Sequence, residues 1–251
     1  MKLTLGDWTA TATGKPLSIT PRFNFRDFRV RVAPYANSEE RGQYLRDTFG
    51  SAGFLWDTPD ELRFDTADRK LVGAEFQLVG EAADAEDSAR VPVTPLSLPC
   101  GLRADETHDF SLEMATELCR APGDAVLTCL RDLDVLDEPL EARIGIAPDV
   151  ALLVQHGTMV GWSLTDPVRY LTRGFEPPDP APPALATRLL FTECLDIITT
   201  PVLDEVRLQD PAALSRLRAV DEALRNQRED QYRADAMTSL ITDLVEDYGN
   251  L

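Results

Sequence analysis

Acidic side chains are the groups in this sequence best placed to do chemistry. Asp132, Asp134, Asp137 and Glu138 follow directly on the apolar run Ala125 to Leu130, and Glu113 and Glu117 form a second group. Carboxylates this close can hold a hard cation such as Mg²⁺ or Ca²⁺, activate a water, or form a solvated negative surface. Ser163, His156 and Asp166 supply the residue types of a hydrolytic triad. A triad requires three groups locked together in space, and the surrounding pattern puts His156 at a hairpin tip with nothing to orient it. His108, beside Glu106 and Asp109, is equally unspecific. Cys100, Cys119, Cys129 and Cys194 form no Cys-x-x-Cys pair, and neither histidine has a ligand neighbour at metal-site spacing. The cysteines read as reduced thiols that pack as small hydrophobes. No nucleophile elbow, Walker loop or dinucleotide fingerprint is present. The residues therefore assign no catalytic group, no metal site and no cofactor.

Asp132-Leu133-Asp134-Val135 after an apolar run resembles the phosphotransfer motif of the haloacid dehalogenase-like phosphatases. That resemblance implies a lysine later in the chain to hold the phosphate. Lys2, Lys15 and Lys70 are the only lysines, so none follows the motif, and the family is rejected. The acids of this segment are expected to form a solvated loop.

The formal net charge of the 251-residue chain is -18. Residues 1–50 carry 8 basic and 5 acidic side chains; the remaining 201 carry 17 and 38. Such a body repels nucleic acid phosphates and anionic membranes, so neither is expected as a partner, whereas a basic protein surface would be attracted. An acidic surface also serves solubility alone. No run approaches the ~18 apolar residues that would span a bilayer, and Gly6 and Asp7 interrupt the start, so a cytoplasmic protein is expected.

The elements that must position these groups centre on Pro148 to Leu171. Val150 to Val154 and Thr158 to Leu164 are two apolar runs separated by His156-Gly157. Two such residues predict a tight hairpin, because a primed turn needs positive φ at both central positions. Asp166-Pro167 closes the second strand. Trp162 is either a core aromatic or a contact for a partner. A similar unit occurs earlier: Pro59-Asp60, a strand from Leu62, a turn at Thr66 to Arg69, then Leu71-Val72-Gly73 against Met159-Val160-Gly161. The match predicts two similar lobes, with a bulge or close backbone approach at each glycine. Common hairpin composition is the alternative. In Arg22 to Val32 the alternation changes phase between Phe25 and Phe28, which predicts a β-bulge near Arg26-Asp27. Ser38 is the expected N-cap of a short helix reaching Thr48, and Leu71, Phe76 and Leu78 are expected inward residues. Glu176 to Pro183 holds five prolines and reads as a stiff linker. Beyond it Thr200-Pro201 and Asp210-Pro211 look like helix starts, followed by apolar stripes at helical spacing from Leu214 to Tyr248.

The expected fold is α+β: antiparallel, hairpin-rich sheets over residues 1–175, with a pseudo-repeat of 1–90 and 91–175, a Pro-rich linker at 176–183 and a mainly helical region over 184–251. The expected function is that of a non-catalytic acidic protein that docks a basic protein partner, in the manner of an inhibitor, antitoxin or immunity protein. Asp132, Asp134, Asp137, Glu138, His156 and Trp162 are its candidate partner-binding residues. The alternatives are a carboxylate-based, metal-assisted enzyme and an assembly component that self-associates through the C-terminal helices.

Overall fold

In the computed structural model, which describes residues 1–51 and 60–249, the chain has an α+β fold. Pro59 of the earlier Pro-Asp unit lies outside the described residues. The strands in chain order are β1 (Lys2–Leu5), β2 (Trp8–Ala12), β3 (Arg22–Asn24), β4 (Arg29–Val32), β5 (Thr48–Gly50), β6 (Glu61–Asp65), β7 (Leu71–Gln77), β8 (Ser97–Pro99), β9 (Leu102–Ala104), β10 (Glu117–Arg120), β11 (Val126–Leu130), β12 (Ala142–Ala147), β13 (Val150–Gln155), β14 (Thr158–Thr165) and β15 (Leu171–Thr172). The helices are α1 (Ser38–Asp47), α2 (Ala85–Arg90), α3 (Leu185–Ile198), α4 (Val202–Arg207), α5 (Pro211–Asn226) and α6 (Gln231–Tyr248). One mixed sheet of nine strands runs β8-β12-β13-β14-β1-β2-β9, with β10-β11 branching from β14; a second of six runs β15-β3-β4-β7-β6-β5.

The β13–β14 hairpin occupies the middle of the larger sheet. Its turn residues His156 and Gly157 have φ of 50° and 70°, the left-handed pair that the sequence requires. β13 borders one edge of β14, while β11 and β1 share the other. Both strands are therefore enclosed laterally, and their continuous apolar runs are buried.

The same five-strand arrangement occurs in each sheet. β3-β4-β7-β6-β5 and β10-β11-β14-β13-β12 have the same order, and every neighbouring pair within them is antiparallel. Register agrees as well. Gly73 faces Arg63, Gly161 faces Leu153, and the pairing shifts immediately beyond each, which leaves Val72 and Val160 as extra residues. Both glycines allow close backbone approach. A Cβ on Gly73 would overlap the Tyr44 hydroxyl and the Val32 carbonyl, and one on Gly161 would overlap the carbonyl of Cys129. Between the sheets, Phe76 of β7 stacks on Trp162 of β14 with ring centroids 5.0 Å apart.

Several local expectations are corrected. Arg22 to Val32 is a hairpin and not a bulged strand: Phe23 pairs with Val30, and the chain reverses between them. The Asn24 side chain accepts from the Arg26 N–H, and Phe28 takes a φ of 55°. A reversal changes the phase of alternation just as a bulge does. Asn37, not Ser38, caps α1, because its side chain accepts from Glu40 N while the Glu40 carboxylate accepts from Ala36 N. Thr200 does not cap α4; its hydroxyl instead accepts from Ala82 N and donates to Glu81.

The C-terminal helices add a layer to the same core. Phe191 of α3 packs on Phe23 and Phe25, with centroids 6.1 and 5.8 Å away. Asp210 caps α5 by accepting from Ala212 N and Ala213 N, as the Asp-Pro signal predicts. The Pro-rich stretch is fastened to α6. Tyr232 donates to the Pro177 carbonyl, and Arg233, fully buried, donates to the carbonyls of Asp179 and Ala181 and to the Asp230 carboxylate.

The two glycines of the central hairpin yield contrasting expectations. Gly161→Ala forces β11 and β14 apart and should destabilise the protein by about 1–3 kcal/mol, with a lower urea midpoint. Gly157→Ala meets open space and should cost only about 1 kcal/mol for its positive φ. Equal losses in the two variants would refute the close-approach argument.

Candidate functional site

The connection from β11 to β12 carries most of the candidate residues across the outer face of the nine-stranded sheet. Val135, Leu136 and Leu140 point inward and form a second apolar cluster with Cys119, Leu130, Leu153 and Val160. Gln155 fixes its backbone by donating to the carbonyls of Val135 and Glu138. With the apolar side chains turned down, Asp134, Asp137 and Glu138 are left exposed. Asp137 pairs with Arg90 of α2 at 2.5 Å. Glu138 meets His156 Nε2 at 2.6 Å, so the hairpin tip does have an orienting partner. Asp132 pairs with Arg131 at 2.9 Å, and Arg131 also reaches Glu113 at 3.2 Å.

A second acidic segment, Glu81 to Asp87, lies alongside. Its backbone is tied to β10, with Leu118 N donating to the Glu81 carbonyl and Ala83 N to the Leu118 carbonyl. Glu117 registers the crowding. Burial pushes its carboxyl up, and the negative charges of Glu81, Asp87 and Asp132 push it further in the same direction. The structure therefore brings Asp132, Asp134, Asp137, Glu138 and His156 to one rim, with the acids of 81–87 beside them.

Trp162 is not among them. It is fully buried against Phe76, so its place in the partner-binding set is corrected to the intersheet core. The triad does not assemble either. Asp166 is engaged by Arg188 at 2.6 Å, His156 by Glu138, and Ser163 lies between them along β14. Burial raises the thiols of Cys119, Cys129 and Cys194, the first to about 11, which keeps them protonated and unreactive. Among the described residues no group of three or more His, Cys, Asp or Glu is arranged to hold a metal ion.

Two of the buried acids, Glu75 and Asp60, are not among the candidate site residues. Glu75 sits on the outer face of β7, where it accepts from Tyr35 and from Arg41 at 3.0 Å, with Arg29 at 3.3 Å and Arg31 at 3.4 Å. Burial alone would raise its carboxyl, but the Tyr35 hydroxyl and the guanidinium groups outweigh burial and hold it below the usual range. Asp60 is nearly as enclosed and accepts from Gln77 N at 2.8 Å. Burial pushes its carboxyl up to about 7, against the opposing pull of that N–H and of Arg29. No family model, curated protein or solved structure matches the chain.

The two acids make opposite contributions to stability. A raised carboxyl such as Asp60 favours folding fully below pH ~4, and that contribution is lost as pH rises through about 7. Asp60→Asn should therefore flatten urea-measured stability over that interval, removing a fall of roughly 4 kcal/mol. A depressed carboxyl such as Glu75 stabilises above its unfolded value of ~4.3, and that contribution disappears as pH falls through its folded value. Glu75→Gln should cost about 3–5 kcal/mol at neutral pH, because it strands several buried guanidinium groups. An unchanged pH profile in Asp60→Asn would contradict the burial argument.

Proposed function

We propose that this chain is a non-catalytic binding protein that docks a basic protein partner through its acidic rim, in the manner of an inhibitor, antitoxin or immunity protein. The observation that carries this reading is the convergence of two acidic segments at one end of the nine-stranded sheet. Glu81, Asp84 and Glu86 on one, and Asp134, Asp137, Glu138 and Glu141 on the other, are all exposed. Arg90, Arg131 and His156 are the basic groups paired within this rim, and each is already engaged by a carboxylate. A surface of one sign steers an oppositely charged partner and raises its encounter rate. The rim rests on β-strands through the Val135, Leu136 and Leu140 anchor, so its charges are presented with little conformational freedom to lose on binding.

Affinity capture at about 0.05 M and about 0.5 M salt tests this reading, because screening weakens exposed charge pairs. The expected result is a basic protein retained at the lower salt and released at the higher. Asp134→Lys with Glu138→Lys should lower its association rate by at least about tenfold, whereas Glu205→Lys with Glu222→Lys, an equal change of net charge on α4 and α5, should lower it much less. Equal effects of the two pairs would reduce the rim to overall charge, and retention of no basic protein at either salt would overturn the reading.

A further inference from the structure

The outer faces of the two five-strand units are framed alike and furnished differently. On the six-stranded sheet the face is filled by Arg31, Glu61 and Glu75, which pair with one another and with Arg29 and Arg41. Arg31 faces Glu75 and Glu61 faces Glu75 across the ladder. In the nine-stranded sheet the matching pairs are Thr128 facing Ser163 and Ala151 facing Ser163. Three long charged side chains are thus replaced by three short ones.

The space left open is a cleft of about 770 Å³ between β10, β11 and the segment that carries α2. Ala83, Ala85, Ala89, Val91 and Val93 form its walls, with Val126 and Thr128 below. It continues past Arg143 into a second hollow of about 500 Å³ over Ala151 and Ser163, and Val93 and Arg143 line both parts. This is the size and apolar character of small-molecule sites, which carry a few polar groups to fix orientation.

Arg143 is the polar group at the junction. Other enclosed guanidinium groups in this protein are well supplied with acceptors: Arg22 donates to the carbonyls of Ala33, Tyr35 and Phe175, and Arg63 to those of Leu45, Thr48 and Ser51. Arg143 donates, among the described residues, to the Pro92 carbonyl alone, and its Nε, like that of Arg22, is buried without a partner. Among the described residues no carboxylate lies within salt-bridge distance of it, and burial lowers its pKa unopposed. A half-buried guanidinium whose terminal nitrogens are bonded only once, to Pro92, matches a planar carboxylate, which accepts two parallel N–H bonds.

A peptide strand would need a free sheet edge in the cleft. The outer edge of β10 is already bonded to the 81–83 segment, through Leu118 N to Glu81 and Ala83 N to Leu118. We propose that the cleft binds a small monocarboxylate with an apolar body, its carboxylate paired with Arg143 and its body lying between the Val91–Val93 wall and the Thr128–Ser163 floor. The cleft shares the 81–87 segment with the acidic rim, but the proposal does not rest on a protein docking there.

Calorimetric titration of the full chain with sodium decanoate, below its micelle concentration, tests the proposal. The expected result is saturable one-to-one binding, with decyltrimethylammonium, of equal chain length and opposite charge, at least about tenfold weaker. Arg143→Gln should weaken decanoate by at least about tenfold while Arg143→Lys retains part of the affinity. Ser163→Phe should abolish binding by filling the floor, with cooperative thermal unfolding as the check that each variant is folded. Absence of saturable decanoate binding, equal binding of the cation, or unchanged affinity in folded Arg143→Gln would each overturn the proposal. So would displacement of decanoate by a hexapeptide that binds the cleft more tightly, since that would make the occupant a peptide.

Discussion

The contact between Phe76 and Trp162 sets the distance between the two sheets, and much of the remaining structure follows from it. Trp162 comes from β14, which pairs with three strands, and Phe76 from β7, an interior strand of the six-stranded sheet, so neither can move without shifting a whole ladder. The two units carry different residues at the matching positions. The position that holds Trp162 in one unit holds Ala74 in the other, and the position of Phe76 is held by Leu164. Two copies of the unit that holds Trp162 would add a second tryptophan at the Ala74 position, and two copies of the other would put alanine at the Trp162 position, overfilling the core or leaving a void, both of which destabilise it.

With the inner faces committed to that contact, the outer faces are free to differ. One is filled by a buried ionic network around Glu75, covered by α1 and by Tyr35. The other is half covered by the β11–β12 connection and half open above Thr128 and Ser163. A buried network of charges does little for net stability compared with apolar packing, but it strongly penalises any arrangement that breaks one pair. One face is thus closed by paired charges, and the other keeps an unfilled cleft. The acidic rim sits at the boundary of the open half, where the connection turns its carboxylates outward.

The central hairpin was legible in the sequence because one dipeptide, His156-Gly157, encodes both the reversal and its handedness. Asp210-Pro211 was equally readable, since cap and first turn lie within four residues. Glycines 73 and 161 marked bulges correctly because a missing Cβ is a local property with a local consequence. The Arg22–Val32 hairpin was misread because a phase change records that the chain has shifted, not how. The exposed acids of the rim could be named from their spacing, whereas Trp162 could not be placed, since an aromatic beside a glycine serves core and surface alike. Glu75, Asp60 and Arg143 gave no signal at all. Their character comes from burial and from partners distant in the chain, such as Tyr35 for Glu75, and alternation patterns report neither.

Arg233 bears on how the molecule comes apart. Its guanidinium is spent on Asp230 and on two carbonyls of the Pro-rich stretch, with no solvent to replace them. That clasp closes the Pro-rich stretch onto α6, and α3 is tied to the sheets by Phe191 on Phe23 and Phe25, by Asp196 on Arg120 and by Arg188 on Asp166, so lifting the helices away would expose both phenylalanines and break both ion pairs in the same motion. The prolines therefore act as a strap and not as a hinge, and sheets and helices should lose their structure together, in one melting event rather than two.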